Sequence, residues 1–567
     1  MADARQTWAL VREGVERIVT SGRTAAWSLS VIVFGGVALQ LRNLGHEELT
    51  FFDEFFHATV ARNLLKDPFR FTLYDAPAVE VAGGWTTAHV WLHKPPLALW
   101  QIALSFLALG TTTFALRLPS LLLSAGIAVI TYRLAMELFR SRSVGVIAAA
   151  LCAFNPFIAG SVHGRHFSDH LDVALLFYTV AGLLAVARGI NTGSYGAYAL
   201  AGLMLGLAFV TKAFPALITA GVLTALWMTT RLGIVTAVVT FWRLVVCALT
   251  AAVVVTVWAV PMYLTYGDDF VELGVYVWWS HLDTDIHGWG APFDGYLLDY
   301  AIRNVPWFYV SGLVAVGVMT WRGLRGSRSD LFIALWTWGA LLPLSLATSK
   351  MPSTSLIVMP GFALAFGRLV MLALEGSPLA LGSWAGTVLA SLIVGGVSLT
   401  SARIEGWSAG VNTWVFVHLL AGFAGAAMLM VMARRGPWPE VRRIVHAVAI
   451  VASLALGVLY VRDARRITTM PSSPSMRTMG ETIQAEYPRN AVFIMQEQAL
   501  TGNHGSLMFW ADRSVYSSEV VGWNEGWSVE RIARAVRAAN AVPYLISDTE
   551  PRGPARRLQG YWLSELR

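Results

Sequence analysis

The sequence predicts a polytopic α-helical membrane protein with a small α/β soluble domain at its C-terminal end. Of its 567 residues, 56% are hydrophobic and only 14% are charged, whereas soluble domains carry about 25% charged residues. The apolar residues occur in runs of roughly 20, which is the length that a helix needs to cross the hydrocarbon core. The arginines lie in short junctions between these runs, as in cytoplasmic membrane loops. The net charge of +7 therefore gives no reason to expect a nucleic-acid ligand.

About thirteen apolar runs are predicted to span the membrane. The first, from about 25 to 41, has no clear cleavage site, so we expect an uncleaved span with its N-terminus in the cytoplasm. A further apolar piece, 97–109, is too short to span. The other predicted spans are 115–138, 143–161, 171–188, 196–211, 213–230, 244–264, 304–321, 330–348, 353–373, 380–400, 411–432 and 443–461.

Basic residues alternate between the junctions as the positive-inside rule requires. The junctions predicted to be cytoplasmic carry most arginines, with the exception of 374–379, and the opposite loops hold only isolated basic residues. The inner-face arginines are Arg140, Arg142, Arg188, Arg231, Arg243, Arg322, Arg325, Arg328, Arg434, Arg435, Arg442 and Arg443. This pattern places the first loop (43–96), the 161–170 turn, the 265–303 loop and the C-terminal tail on the outer face.

Two domains are expected. Residues 1–464 form the transmembrane domain, which includes the first loop, and residues 465–567 form an outer-face α/β domain, here called the tail. Alternation of short apolar strands with an amphipathic helix predicts the α/β character of the tail. The predicted tail elements are a strand over Ala491–Met495, a helix over Ser528–Ala539 and a strand over Val542–Ile546.

Two adjacent carboxylates, Asp53 and Glu54, lie between aromatic residues just after the first span. Ionisable groups at membrane depth are candidates for a functional site. The alternative is the first turn of a helix, where acidic side chains face the positive end of the helix dipole. The chemistry of these residues leaves both interpretations open.

The same loop ends with His93 and Lys94, followed by two prolines. The prolines fix an extended backbone before an apolar helix and so hold Lys94 near the membrane surface. An ammonium group there could bind a phosphate as a point charge. The alternative is an ordinary interfacial lysine whose head group reaches water.

A third candidate segment precedes the span at 171–188. His163, His166 and His170 share a helical face with Asp169 beside them, a spacing that can bind zinc, although ordinary hydrogen bonding is the commoner use. Asp172 begins the apolar run. A lone carboxylate at that depth needs a partner, and a cation on the outer face is the natural one.

Four single cations lie on the predicted outer face with three carboxylates. The cations are Lys94, Arg165, Lys212 and Lys350, and the carboxylates are Asp53, Glu54 and Asp172. Such a set suits a phosphorylated lipid, because the cations would neutralise a departing phosphate and a carboxylate would deprotonate an acceptor hydroxyl. Histidine and aspartate alternate within 278–289. This pattern allows two interpretations, a metal-binding strand or a polar aromatic loop that rests on lipid headgroups.

Five motifs resemble those of bacterial GT-C glycosyltransferases, in the family 39-type group of protein O-mannosyltransferases and lipid A aminoarabinose transferases. They are Asp53-Glu54, His93-Lys94-Pro95-Pro96-Leu97, Arg117-Leu118-Pro119-Ser120, Arg165 followed by Asp172, and His287 with Pro292-Phe293, Tyr296 and Pro306-Trp307; Lys350 and Pro352 match more loosely. The resemblance covers residues 25–370. It departs from the aminoarabinose enzymes at His93, which replaces a glutamate, and the tail does not resemble the carbohydrate-binding module of eukaryotic mannosyltransferases.

The resemblance implies transfer of a monosaccharide, with inversion, from a polyprenyl-phosphate donor to a lipid, glycan or protein acceptor. The reaction would occur on the outer face of the bacterial cytoplasmic (inner) membrane. Asp53 would be the general base or acceptor orienter, with Glu54 second to it and Asp172 orienting a cation. The donor phosphate would be held by Lys94, Arg165, Lys350 and Lys212. Further candidates are His93, His166, Asp169, His287 and Tyr296.

Three alternatives stay open at this stage. A divalent metal ion could bind near Asp53, Asp172 and His166, although two carboxylates alone give too few ligands. A polytopic lipid or sugar transporter or flippase would also explain many spans, although we find no internal repeat of the kind that transporters usually have. A non-catalytic assembly or sensor subunit centred on the tail is the third. The sequence names neither the sugar nor the acceptor.

Overall fold

The computed structural model places most of the chain in helices. It describes residues 22–49, 53–74, 88–165, 169–213, 217–229, 234–285, 289–293, 295, 306–401, 410–435, 438–470, 476–496, 503–518 and 528–566. The helices of the membrane part are α1 (Gly22–Leu41), α2 (Asp53–Asn63), α3 (Pro96–Leu109), α4 (Thr113–Phe139), α5 (Arg142–Ala153), α6 (Pro156–Val162), α7 (His170–Thr192), α8 (Tyr195–Lys212), α9 (Leu217–Thr229), α10 (Ile234–Tyr266), α11 (Asp268–Val271), α12 (Val277–Asp283), α13 (Pro306–Leu324), α14 (Arg328–Leu346), α15 (Met359–Leu374), α16 (Pro378–Ser401), α17 (Gly410–Arg435) and α18 (Trp438–Thr468).

Each predicted span overlaps a helix in the described part of the chain. Eight helices of the described ranges are long and apolar enough to cross a membrane, and nine if the bent pair α5 and α6 is one span. This pair bends by 46°. The bend occurs at Asn155, whose side chain accepts hydrogen bonds from the amides of Phe157 and Ile158 and so caps α6. The chain is a multi-pass membrane protein, as predicted.

Local sequence signals fix the helix ends near the candidate residues. Pro96 is the first residue of α3, where its missing N–H costs no hydrogen bond. The Thr112 side chain accepts from the amide of Ala115 and caps α4. Asp169 caps α7 by accepting from the amide of Leu171. These signals define where α3, α4 and α7 begin. They thereby fix the backbone positions of Lys94, which precedes α3, of Arg117 on α4 and of Asp172 on α7.

The tail folds as a small α/β unit, as its sequence predicts. Its elements are α19 (Arg477–Glu486), β1 (Ala491–Gln496), α20 (Asn503–Ala511), β2 (Val515–Ser518), α21 (Val529–Ala538), β3 (Val542–Ser547), β4 (Arg556–Leu558) and β5 (Tyr561–Glu565). The strand order is β2-β1-β3-β5-β4. The β1 strand pairs in parallel with β2 and β3, whereas β5 pairs antiparallel with β3 and β4. The predicted strands at 491–495 and 542–546 and the helix at 528–539 correspond to β1, β3 and α21.

The tail shares one hydrophobic core with the first loop. Buried side chains of α2 and of the segments 71–74 and 88–92 belong to the same cluster as those of β1 and α20. Phe55 and Phe56 of α2 each place their ring edge to face with His504. Tyr74 stacks on Tyr516 with ring centroids 4.6 Å apart. The tail therefore packs directly against the helix that begins with the acid pair, and we call this end of the bundle the tail side.

Arginine-rich junctions meet one another at other helix ends. The Ser329 hydroxyl donates to the carbonyl of Leu138, and the Asn191 amide donates to the carbonyl of Glu137. The guanidinium of Arg322 donates to Asp330, which is fully buried at the start of α14. These contacts tie together the junctions after α4, α7 and α13, which the charge pattern assigned to one face.

Candidate functional site

The N-terminus of α2 brings Asp53 into the interior on the tail side. Its side chain is 2% exposed, and its Oδ1 atom has no hydrogen-bond partner among the described residues. A buried carboxylate oxygen without a partner is costly. Asp53 therefore depends on nearby positive charge, or on a ligand, for its stabilisation.

Two lysines supply that positive charge. Lys94 and Lys212 are almost completely buried, and the charge of Asp53 acts on both ammonium groups. Lys212, the last residue of α8, donates to Asp172 on α7 with an Nζ–Oδ1 distance of 2.5 Å. Asp172 thus has the cationic partner that its sequence position required.

Lys94 lies in the loop before α3. Burial lowers the pKa of Lys94 from its usual value and outweighs the opposing effect of Asp53, while Lys212 lowers it further and Asp172 and Asp169 raise it. An anion bound beside Lys94 would favour its charged form. Asp53, Lys94, Asp169, Asp172 and Lys212 are within electrostatic range of one another, and we call them the buried charge cluster.

Glu54 faces a different partner from its neighbour Asp53. Arg117 of α4 donates from Nε to Glu54 Oε1 at 2.6 Å and from Nη2 to Oε2 at 3.0 Å. The same guanidinium donates to the carbonyls of Leu44, His46 and Glu48. Both carboxylate oxygens of Glu54 are therefore engaged, and the pair fastens the end of the first span to α4.

Gly164 leaves room for the Glu54 carboxylate. Its φ is +63°, in the left-handed region that favours glycine, and a Cβ there would lie 2.4 Å from a carboxylate oxygen of Glu54. Any larger residue at this position would displace the carboxylate from Arg117.

Arg165 and Lys350 lie outside the buried charge cluster. Arg165 pairs with Glu48 at 2.8 Å and donates to the carbonyl of Met470, which precedes the tail. The ammonium of Lys350 donates to the carbonyls of Ala291 and Ala347 and so pins the segment after α12. Their predicted contact with a donor phosphate stays a prediction.

The histidines of the 163–170 segment point to different partners. His163 Nε2 donates to the carbonyl of Gln40, whereas His170 bonds through its two ring nitrogens to Ser120 and Gln101. His163 and His170 therefore do not form a zinc site with each other. Three predicted site residues, His166, His287 and Tyr296, lie outside the described residues.

His57 and Asp169 form a further buried contact. Their Nδ1 and Oδ2 atoms are 2.5 Å apart, and the imidazole is fully buried with its edge toward Trp91. His93 is also buried, and its ring centroid lies 5.4 Å from that of Trp91. The charge and hydrogen bond of His57 lower the pKa of Asp169 overall, although burial alone would raise it.

The described residues do not fit a divalent metal ion. Nowhere in the described ranges do three His, Cys, Asp or Glu side chains converge as a metal site. Asp172 is bonded to Lys212, and the charge of Asp53 is opposed by Lys94 and Lys212. Ammonium groups thus stand where a cation would be needed, and we derive no step through a metal.

Sequence reasoning underestimated two residues of this region. Arg117 entered only as part of a motif, although a lone arginine in an apolar run is itself a signal of a buried partner. His57 follows Asp53 by four residues, a spacing that places both on one helix face. The signal for each was present, but its partner was distant in sequence.

A cavity of about 500 Å³ lies beside this region, between the first loop, the α3–α4 turn and the tail. Arg62, Arg477 and Trp510 are among its lining residues. Arg62 pairs with Asp512, and Arg477 with Glu47, so both guanidinium groups are already engaged. The cavity lining does not include the buried charge cluster.

Comparisons of sequence agree with the motifs. Residues 93–258, which include Lys94, Asp172 and Lys212, match the family described as dolichyl-phosphate-mannose-protein mannosyltransferase. The undecaprenyl phosphate-alpha-4-amino-4-deoxy-L-arabinose arabinosyl transferase of Pseudomonas paraeruginosa is 26% identical over 370 residues, which are 61% of this chain and 60% of that protein. The enzyme of the same name from Yersinia enterocolitica is 26% identical over 289 residues, 48% of this chain and 49% of that protein. The chain thus spans about 60% or less of the length of these curated relatives.

Solved structures agree on the fold. ArnT from Cupriavidus metallidurans, bound to undecaprenyl phosphate, superposes with a TM-score of 0.64 at 15% identity, covering 95% of this chain and 98% of that one. The Archaeoglobus fulgidus oligosaccharyltransferase superposes with a TM-score of 0.56 at 13% identity, covering 94% of this chain and 70% of that one. The protein has the fold of GT-C membrane glycosyltransferases, and its sequence resembles the mannosyltransferase and aminoarabinose transferase group, as its motifs predicted.

Proposed function

We propose that the protein is an inverting membrane glycosyltransferase that uses a polyprenyl-phosphate-linked monosaccharide as donor. The observation that carries this proposal is the buried charge cluster, in which Lys94 and Lys212 lie beside Asp53 and Asp172. Two ammonium groups at one membrane interface suit a lipid phosphate. A buried carboxylate oxygen that has no hydrogen-bond partner among the described residues suits an acceptor group. The relatives named for undecaprenyl-phosphate aminoarabinose support a lipid-phosphate donor of this class.

The role proposed for each residue of the buried charge cluster follows from the charge of its side chain. As the bond between the sugar and the phosphate breaks, negative charge grows on the phosphate, and Lys94 is placed to neutralise it. Lys212 donates to Asp172 and also interacts electrostatically with Asp53, so its positive charge stabilises both carboxylates. Asp53 is the general base or the orienter of the acceptor. Glu54, held by Arg117, positions Asp53 by fixing the first turn of α2.

Arg165 and Lys350 are assigned to more distant parts of the donor site. Each has neighbours that a ligand could replace: a partly exposed carboxylate for Arg165 and backbone carbonyls for Lys350. His93, His166, His287 and Tyr296 remain candidates for contacts to the sugar or the acceptor.

The proposed setting is the bacterial inner membrane, with the N-terminus in the cytoplasm. The arginine distribution supports this orientation. It puts the buried charge cluster and an extracytoplasmic tail domain on the outer face, where an acceptor lipid, glycan or protein would arrive.

The test is mass spectrometry of envelope lipids, glycans and secreted proteins from a deletion strain. We expect one sugar substituent to disappear and to return with the wild-type gene but not with Asp53→Asn, because the amide cannot accept a proton or carry the charge. Asp269→Asn, at an exposed carboxylate on α11, is the matched control and should restore the substituent.

Immunoblotting of membranes checks that the variants are present at equal levels. Full restoration of the substituent by Asp53→Asn would contradict the role of Asp53. A transporter would instead move a labelled lipid or sugar across proteoliposomes without forming a glycosidic bond, and that result would replace the proposed function.

A further inference from the structure

His57 is a buried imidazole that the proposed chemistry has not used. It follows Asp53 by one helical turn on α2, so the two side chains share a face. His57 Nδ1 contacts Asp169 Oδ2 at 2.5 Å. Because an ionised carboxylate only accepts hydrogen bonds, Nδ1 carries the proton in this contact and Nε2 is the basic atom.

The basic nitrogen of His57 has no partner in the described part of the chain. Its Nε2 atom is buried without a hydrogen bond, as is Oδ1 of Asp53. Two buried acceptors one turn apart on a single helix face are costly unless a donor comes between them. A hydroxyl or amine of a bound acceptor is such a donor.

His57 adjoins the buried charge cluster through its contact with Asp169. His57 acts electrostatically on Asp169 and His170, and Asp169 in turn acts on Lys94 and Lys212. The buried charge cluster contains three carboxylates and two ammonium groups. A proton that His57 took from an acceptor would lie next to the carboxylate of Asp169, which would stabilise the positive charge of the ring.

We propose that His57, oriented by Asp169, takes the proton of the acceptor, while Asp53 orients the acceptor. This inference rests on the proposed function and decides between the two roles left open for Asp53. The acceptor oxygen or nitrogen forms a bond to the anomeric carbon, and the bond from that carbon to the phosphate oxygen breaks. The polyprenyl phosphate leaves with the electron pair, and the acceptor proton moves to His57 Nε2, from which water later removes it.

Asp169 acts through His57 and is a positioning residue. It also caps α7, the helix that carries Asp172, so the imidazole and the Asp172–Lys212 pair share one support. A carboxylate that fixes the tautomer of a histidine and stabilises its charged form is a recurrent arrangement in general-base catalysis.

The experiment measures donor turnover by purified full-length protein in liposomes, with wild type, His57→Asn, Asp169→Asn and the double variant. The asparagine amide can keep the contact to Asp169 but has no nitrogen that accepts a proton. We expect kcat to fall by about 10²- to 10⁴-fold in His57→Asn, the range of general-base catalysis, with KM for the donor little changed. The double variant should be no slower than His57→Asn, because groups that act as a unit are not additive.

His446→Gln is the matched control. His446 is buried on α18 and bonds through Nε2 to the carbonyl of Ala373, far from α2 in the chain. We expect wild-type kcat in this variant. A thermal melt in detergent checks folding, and His57→Gln serves if His57→Asn melts early.

Wild-type kcat in a folded His57 variant would overturn the proton-acceptor role and leave the proposed function intact. Losses that multiply in the double variant would also overturn it. An inactive wild type with every polyprenyl-phosphate sugar offered would instead count against the proposed function itself.

Discussion

Arg117 is the residue that most firmly connects the first loop to the helix bundle. It is 2% exposed and donates hydrogen bonds to Glu54 and to three carbonyls of the 44–48 segment. Removal of only the arginine from a buried ion pair of this kind strongly destabilises the fold, because the remaining carboxylate stays buried without a partner. The pair is therefore a support for Asp53, its neighbour in sequence.

We predict that Arg117→Ala lowers the free energy of unfolding by about 3–5 kcal/mol, the cost of leaving a buried charge unpaired. The measurement is the melting temperature of the purified protein in detergent. The matched control is Arg477→Ala, whose side chain is 43% exposed and pairs with Glu481 at the surface. The free energy of unfolding of that variant should fall by about 1 kcal/mol or less. Equal shifts in the two variants would refute the supporting role of Arg117.

At the scale of elements, α2 is the link between the buried charge cluster and the tail. One face of the helix carries Asp53 and His57, and Phe55 and Phe56 pack against α20 of the tail. The Arg62 guanidinium adds hydrogen bonds to the carbonyls of Met508 and Phe509. A shift of α20 would therefore be transmitted to the acid pair through a packed contact.

We predict that Gly505→Ala weakens both the docking of the tail and glycosyl transfer. A Cβ at Gly505 would lie 2.0 Å from the ring of Phe55, and that ring is fully enclosed. The measurements are limited proteolysis of the tail and the rate of transfer.

The matched control is Gly457→Ala, a helix position where a Cβ meets no atom within 4 Å. It should leave both readouts at wild-type values. If Gly505→Ala also leaves both unchanged, α2 is not the link between the tail and the site.

At the scale of the whole molecule, the tail and the first loop form one structural unit on the helix bundle. Their side chains share a core, and Arg477 of the tail pairs with Glu47 of the first loop at 2.7 Å. Removal of residues 465–567 would thus expose the apolar faces of α2 and α3. Loss of activity after truncation would therefore not distinguish a sensor tail from a catalytic membrane domain. Substitutions at the contact between the tail and α2 are the more specific test.

Much of this architecture was readable from the sequence. Run length located the helices, and Pro95-Pro96 marked the start of α3. The need of Asp172 for a cation was also evident, and Lys212 meets it. These inferences succeed because each rests on local backbone chemistry or on the cost of a lone buried charge.

The sequence did not show which residues that are distant along the chain would pair with each other. The motifs put Asp53 and Glu54 together, yet one faces the lysines and the other faces Arg117. Adjacent residues on a helix point about 100° apart, and only the packing of α4 decides which neighbour each one meets. For the same reason, the histidines at 163 and 170 share a spacing but not a partner.

The most direct test of the central claim is transfer by the purified protein in liposomes that contain a polyprenyl-phosphate-linked sugar. Aminoarabinose, mannose and other monosaccharides are offered in turn, with an extract of envelope lipids, glycans and proteins as acceptor. We expect that one donor is consumed, that free polyprenyl phosphate and a glycosylated product appear in equal amounts, and that the configuration at the sugar carbon is inverted. Absence of product with every donor, or retained configuration at the sugar carbon, would contradict it.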